Sequence, residues 1–382
     1  MKFSVLLPTR NGGPFLANCI RSVLNQDYSD LEIVISDNAN TDSTPAVIAS
    51  FAADPRVKIL RLEQTMPVTD NWNNALAAAS GDYLLMLGDD DLVLPGYFSR
   101  MERVLENYGQ PECVLYNAYT YVAPDSVGAH SHSYYRERHF GLGPDFAGEG
   151  ALSPERRRAI VLDMFRFRAR IPLNIQMMLV ARRAVPGVRG GLFQPPFPDH
   201  CAINSLLLTA AAWVYVPKRL VVVGVSPKSF AHYAYSHLAA SGLSYLGIEA
   251  DFPGRLPGNE MLNGMHVWLE LLLTRYPDLL AGVHIDRAAY VRRQVYAWIM
   301  QRRARAISWS EFVANLRQLS FSDWADLPAT ILDDEFWRRV LHILRSIGKS
   351  QAEAVWRGLV PLEGVADIAQ FARWLRDNGK LD

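Results

Sequence analysis

Between Lys2 and Tyr116 short apolar runs alternate with segments of helical period, and few folds accommodate that order. The apolar runs are Lys2–Leu7, Leu31–Ile35, Val57–Leu62, Tyr83–Leu87 and Cys113–Tyr116. Each is too short for a helix, and most of them alternate poorly, as in strands covered on both faces. The intervening stretches read as helices. Phe15–Leu24 places Phe15, Leu16, Cys19, Ile20, Val23 and Leu24 at helical spacing. Thr44 can cap a helix over Ala46–Phe51 with Pro45 in its first turn, and Asp70–Ala79 and Pro95–Leu105 complete the series. Strand–helix alternation of this kind predicts an α/β fold, a mostly parallel sheet with helices on both faces.

Ligands of such sheets bind beyond the carboxyl ends of the strands. Three polar clusters fall at those ends: Pro8-Thr9-Arg10-Asn11-Gly12-Gly13, Ser36-Asp37-Asn38, and Gly88-Asp89-Asp90-Asp91. The third is the most demanding, because three adjacent carboxylates repel one another. A hard divalent cation removes that repulsion and bridges to phosphate oxygens. The plainer alternative is a solvated acidic turn. Convergence of three polar clusters on one edge favours a site.

The rest of the chain is organised differently. From about Val122 to Ser153 periodicity fades, as expected for a long functional loop. His130, His132 and His139 lie there with Tyr134, Tyr135, Arg136 and Arg138; the pattern suits an acceptor-binding or phosphate-closing loop better than a metal site. Glu155–Arg170 reads as a basic helix, with Arg156, Arg157, Arg158, Arg166, Arg168 and Arg170 on it. Ile175–Ala181 reads as a strand, Asp199–Ala211 as a helix, and Trp213–Val216 and Leu220–Val225 as β-like. After about Ser236 helical segments dominate: Met261–Thr274, Arg287–Ala306, Trp309–Leu316, Asp334–Ile347 and Ile368–Asn378. The expected division is a nucleotide-binding and catalytic domain over 1–235 and a helical region over 236–382. In the latter, Arg292, Arg293, Arg302, Arg303 and Arg305 alternate with Tyr296, Trp298 and Trp309. An amphipathic packing helix accounts for this better than contact with an anionic membrane.

Bulk properties narrow the partners. Formal net charge is zero over 382 residues, so no global field draws the chain to nucleic acid. Cys19, Cys113 and Cys201 have no paired spacing, which argues against a disulfide framework and fits a reducing compartment. The longest apolar stretch, Leu206–Val216, is about half a membrane span. The expected location is cytoplasmic, with peripheral contact at the inner face of a membrane and self-association left open.

Taken together, Pro8-Thr9-Arg10-Asn11, Asp37-Asn38, Asn71-Trp72-Asn73-Asn74-Ala75-Leu76, Ala79-Ser80-Gly81-Asp82-Tyr83 and Gly88-Asp89-Asp90-Asp91 with Pro95 resemble the family 2 glycosyltransferases of GT-A fold. The resemblance spans roughly the first 230 residues and is densest in the first 100. It implies a nucleotide-diphosphate sugar donor, a carbohydrate or lipid-linked acceptor, and Mn²⁺ or Mg²⁺. Carried over by position, Thr9, Arg10 and Asn11 lie at the nucleoside and Asp37 accepts a hydrogen bond from the base. A carboxylate is an acceptor-only group suited to that task. Asn73 supports the nucleotide pocket, Asp89 serves the ribose or the metal shell, Asp90 is the direct metal ligand, and Asp91 is a carboxylate that supports the metal centre or faces the acceptor. Asp199, after Gly190-Gly191-Leu192-Phe193-Gln194-Pro195-Pro196-Phe197-Pro198, stands where the family has its catalytic base; a helix-capping role for it is compatible. The chain departs from the family at Gly88, where an aspartate is common, at Pro198, where an acidic residue is common, and at Ser226 before Pro227, where many relatives carry histidine. Lys228 or His232 is the candidate substitute.

Two other classes compete. A nucleotidyltransferase would place a Gly-rich, basic phosphate loop after the first strand; Pro8–Gly13 has two glycines and one arginine but no following lysine. A non-catalytic sugar-binding relative would not need both Asp90 and Asp199.

Overall fold

The computed structural model describes residues 1–126, 132–137, 148–169, 171, 174–229, 251–258, 260–303, 305–327, 334–345 and 358–381. The expected alternation is present. Strands β1 (Phe3–Thr9), β2 (Leu31–Asp37), β3 (Val57–Arg61) and β4 (Tyr83–Met86) are joined by α1 (Gly13–Leu24), α2 (Thr44–Ala49) and α3 (Val68–Ala78). β1 runs parallel to β2 and β4, and β2 runs parallel to β3. Every residue of β4 is buried, as its unbroken apolar run requires of a strand covered on both faces.

After β4 come β5 (Leu92–Val93), α4 (Tyr97–Asn107), β6 (Cys113–Val122), β7 (Ser133–Arg136), β8 (Gly150–Leu152), α5 (Pro154–Phe165), β9 (Met178–Ala181), α6 (Pro198–Thr209) and β10 (Trp213–Val225). β9 is antiparallel and sits between β4 and β6. β10 runs parallel to β6 and pairs at its end with β5. The two β-like segments expected at Trp213–Val216 and Leu220–Val225 are one strand with register shifts between Val216 and Val221, where Pro217 removes a donor. Of the loop expected from Val122 to Ser153, the described parts carry β7 and β8. His130, Arg138 and His139 lie outside the described residues, as do Arg170 and His232.

Two apolar layers flank the sheet. On one face Leu16, Cys19, Ile20 and Val23 of α1 meet Phe98, Met101 and Leu105 of α4 over Phe3, Val5 and Leu7. On the other face Leu6, Val34 and Ala75 join α5 and α6 through Val161, Met164, Ile203 and Leu206.

The C-terminal region is not a separate body of helices, contrary to the expectation for residues 236–382. α7 (Glu260–Arg275) and α8 (Arg287–Arg303) bury Trp268, Leu269, Leu272, Tyr276, Tyr290 and Trp298 in the same cluster as α5 and α6. One core therefore crosses the expected boundary. Beyond α9 (Trp309–Leu316), α10 (Phe321–Asp326) and α11 (Asp334–Arg345), the chain returns to the sheet. There β11 (Val360–Leu362) pairs antiparallel with β7, and α12 (Ile368–Asp377) lays Ile368, Phe371 and Leu375 against Tyr119, Tyr121 and Tyr135. A three-residue strand shows no period of its own, so only its distant partner reveals it. Within α8 the packing expectation holds for Trp298, which is fully buried with its Nε1–H donating to the Pro257 carbonyl at 2.9 Å. No helix among the described residues is long and apolar enough to cross a membrane.

Phe371 is fully buried among the rings of Tyr119, Tyr121, Tyr135 and Trp374. Phe371→Ala is expected to lower stability by about 3–5 kcal/mol, read from urea unfolding. A loss under about 1 kcal/mol would mean that α12 does not share the fold's core.

Candidate functional site

The carboxyl edge of the sheet gathers most of the expected residues through a few long-range hydrogen bonds. The turn after β1 is laced to the turn after β2. Arg10 donates from Nη1 to the Asn38 carbonyl at 3.3 Å and also to Thr65. The Asn11 side-chain oxygen accepts from Thr41 N–H at 2.9 Å, and the Asn11 N–H donates to the side chain of Asn40. Asp37, 2% exposed, accepts at Oδ1 from the backbone and side-chain nitrogens of Asn40 (3.2 and 2.6 Å) and at Oδ2 from Arg61 Nε at 3.4 Å. A carboxylate offers about four acceptor positions, so one remains for a base.

Thr9 is buried, and its hydroxyl donates to Asp89 Oδ2 at 2.8 Å, which orients a carboxylate of the acidic turn. Asn73 is likewise tied by a long-range contact. Its Nδ2 donates to the Phe193 carbonyl at 3.0 Å, which ties α3 to the segment leading into α6. Its neighbours bind the helix to β2: Ser36 donates to Asn71 at 2.6 Å and accepts from Asn74 at 2.8 Å.

The three aspartates have three environments. Asp91 is 2% exposed and is engaged by the backbone, its Oδ2 accepting from Gly88 N–H at 2.6 Å and its Oδ1 from Gly224 N–H at 2.9 Å. It thereby fastens the turn after β4 to the end of β10, which accords with a supporting carboxylate. The approach is so close that a Cβ on Gly224 would stand 1.9 Å from the Asp90 carbonyl oxygen. Asp90 accepts at Oδ2 from the Ser229 hydroxyl at 2.7 Å. The direct partners of Asp89 and Asp90, the Thr9 and Ser229 hydroxyls and the Ser226 groups that also hydrogen-bond Asp90, are neutral, so contact does not neutralise the charge. Burial pushes Asp89 up to about 7, with Asp90 adding to the rise. Burial likewise raises Asp90 and holds Asp91 well above the usual carboxylate range.

This donor chemistry fits a divalent cation: two half-buried carboxylates, adjacent in sequence, in the turn after β4. Among the described residues no group of three His, Cys, Asp or Glu side chains forms a complete cage. A cation here would need oxygens from a ligand, the usual manner of Mg²⁺ with phosphate. Lys228, expected as a substitute cation, pairs with Asp42 at 3.5 Å and lowers Asp89 from a distance. Asp42 also accepts from Gly13 N–H at 3.3 Å, so this pair links the start of α1 to the segment after β10. Ser229 and Asp42 were invisible in the sequence, because only the fold brings them to the aspartates.

Asp199 lies in the first turn of α6, where the helix dipole favours a carboxylate. It does not cap the helix; Phe197 holds that position, and Asp199 Oδ1 accepts from the adjacent His200 N–H at 2.9 Å. Burial raises its pKa, while His200, with Nε2 at 3.9 Å, opposes the rise. The segment before it is clamped from three sides. Asn73 holds Phe193, and Trp72 meets the Phe193 ring edge-on at 5.2 Å. Gln194 donates to the carbonyls of Arg189 and Gly191 at 3.2 and 2.7 Å. From α7, Gly264 lies so close that a Cβ would stand 2.3 Å from the Phe197 ring. His200 stacks on Phe197 at 5.0 Å and meets Trp268 edge-on.

Residues 4–157 match the family model of Glycosyl transferase family 2. The matched region is thus similar to the family 2 glycosyltransferases, and the mostly parallel sheet with helices on both faces agrees with the expected GT-A type. Over 110 residues, 28% of this chain and 36% of the relative, it is 38% identical to the GalNAc(5)-diNAcBac-PP-undecaprenol beta-1,3-glucosyltransferase of Campylobacter jejuni. Over 132 residues, 32% of this chain and 52% of the relative, it is 28% identical to the UDP-Glc:alpha-D-GlcNAc-diphosphoundecaprenol beta-1,3-glucosyltransferase WfgD of Escherichia coli. The chain thus spans about a third to a half of the length of these relatives. Among solved structures it is similar to S. aureus TarS 1-349, at 15% identity and a TM-score of 0.45, covering 83% of this chain and 89% of that one.

The folded chain holds the Asp89 proton more tightly than the unfolded chain, where an aspartate titrates near about 3.9. The metal-free protein should therefore gain stability from this group as pH falls through about 7, and lose it as pH rises. Thermal unfolding in a chelator at about pH 8 and about pH 6 should show a smaller pH effect in Asp89→Asn than in the parent. Equal dependence in both proteins would refute the charge repulsion assigned to this turn.

Proposed function

We propose that this protein transfers a sugar from a nucleoside-diphosphate donor to an acceptor hydroxyl, with a divalent cation and with inversion at the anomeric carbon. The observation that carries the proposal is the pair of partly buried carboxylates Asp89 and Asp90 in the turn after β4, within the region that matches family 2. Asp90 and Asp89 would hold Mn²⁺ or Mg²⁺, and Asp91 keeps their loop in place. When bound, the cation supplies positive charge to the diphosphate as it leaves. Asp37, with Asn40 beside it, offers an acceptor to the nucleobase; Arg10 and Asn11 join the two turns that floor this side.

Asp199 is the base in this reading. It removes the proton from the acceptor hydroxyl as that oxygen attacks the anomeric carbon. A burial-raised pKa makes it a better proton acceptor. Two relatives are named as glucosyltransferases for sugars on diphosphoundecaprenol, which supports a UDP-sugar donor and a lipid-linked or carbohydrate acceptor in polysaccharide or glycoconjugate synthesis. A lipid-linked acceptor would bring the protein to a membrane surface.

The test is a transfer screen over nucleotide sugars with Mn²⁺ or Mg²⁺, on saccharide and polyprenyl-diphosphate acceptors. Asp90→Asn and Asp199→Asn should each lower kcat by about 10²–10⁴. Asp199→Asn should leave UDP affinity unchanged, and Asp90→Asn should weaken it in the presence of metal. Full activity in Asp199→Asn would remove it as the base. Asn73→Ala should cost about 0.5–1.5 kcal/mol of stability. It should also lower kcat while sparing UDP binding, because it acts on the segment that delivers Asp199. Unchanged kcat would limit Asn73 to a structural role.

A further inference from the structure

A cavity of about 220 Å³ lies beside the aspartate turn, on the α1 side of the sheet, whereas α6 and Asp199 pack on the other side. Parts of the chain far apart in sequence build its walls. Phe15 and Asn18 come from α1, Tyr121 from the end of β6, Ser226 from just beyond β10, and Asp367 and Ile368 from the start of α12. Asp90 forms part of the same wall. The C-terminal segment, which lies outside the matched family region, therefore completes a hollow next to the acidic turn.

The lining specifies a ligand class. None of the residues that line the cavity is basic, so it does not suit phosphate or a carboxylate. A carboxylate, an amide and a hydroxyl alternate with the faces of Phe15 and Ile368, which matches a ring having hydroxyls at its rim and C–H groups on its faces. The volume equals about seven waters at about 30 Å³ each, room for one such ring. A second observation points the same way. Tyr121 is 3% exposed, yet its hydroxyl makes no hydrogen bond of good geometry. Ser133, its neighbour, sends its own proton to the Val365 carbonyl at 2.6 Å. The Tyr121 hydroxyl also senses the Asp367 carboxylate, which places it near the cavity's polar rim. The Asp367 side chain accepts from Gln370 N–H at 2.7 Å, so it is held in place at the helix start.

We propose that this cavity binds one neutral sugar unit, separately from the donor nucleotide, with Tyr121, Asn18 and Asp367 hydrogen-bonding its hydroxyls and Phe15 and Ile368 covering its faces. In the transferase reading, on which its biological use rests, the bound unit belongs to a part of the acceptor remote from the hydroxyl that Asp199 deprotonates. Its binding does not depend on that reading.

The experiment uses the full chain and the methyl glycosides of glucose, galactose and N-acetylglucosamine, titrated by saturation-transfer NMR without donor or turnover. At least one should bind with a Kd of about 1–10 mM, unchanged by saturating UDP and Mn²⁺. Ile368→Trp, which fills the cavity, should weaken it at least about tenfold. Tyr121→Phe, which preserves the packing, should weaken it about threefold to tenfold through one lost hydrogen bond. The proposal is overturned if no glycoside binds at about 100 mM, if UDP displaces the glycoside, or if both folded variants bind like the parent. Binding without any detectable transfer would sink the transferase reading and leave this site standing; transfer without glycoside binding would do the reverse.

Discussion

Asp91 holds together the end of β4 and the end of β10, strands that are not neighbours in the sheet. One of its oxygens accepts from Gly88 N–H and the other from Gly224 N–H, in a place with almost no solvent contact. A charged or protonated carboxyl buried in this way is costly unless hydrogen-bonded, and the two backbone donors meet that cost. The consequence is positional. With Asp91 drawn inward, Asp89 and Asp90 stand at the sheet edge, each tethered by a hydroxyl, Thr9 on one side and Ser229 on the other. The repulsion between them is what a cation would relieve.

The same logic of long-range tethering governs the other carboxylate. Asp199 opens a helix whose approach segment touches α3 through Asn73 and Trp72, and α7 through the close contact of Gly264 with Phe197. The helices that follow the sheet therefore help to position the Asp199 carboxylate. Their shared core with α5 and α6 explains why no separate domain forms there: Trp268, Tyr276 and Trp298 would be exposed without it.

What was legible in the sequence follows from how local each signal is. The parallel alternation of β1 to β4 was readable because a strand buried on both faces needs an unbroken apolar run, and each run here ends in a polar turn. The acidic turn and Asp199 were readable because unusual residues were adjacent to those elements. Less legible were β5, β7, β8 and β11, which are two to four residues long and exist only through pairing. The hydrogen-bond partners of Thr9 and Asn73 were not legible for a related reason. A threonine or asparagine has several possible partners, and the choice among them is made by whatever the fold brings within reach. Asn73 finds Phe193 across 120 residues.

The sequence alone determined the class of sheet, the edge at which chemistry gathers and the carboxylates available to it, because period, turn residues and charge are local properties of the chain. The division of labour among those carboxylates was decided only by tertiary structure. Asp89, Asp90 and Asp91 are chemically identical and consecutive, and they acquire different tasks because Gly224, Ser229 and Thr9 arrive from different strands. The return of the C-terminal segment to the sheet was decided at the same level, since Phe371 and Ile368 gain burial only against tyrosines more than two hundred residues away.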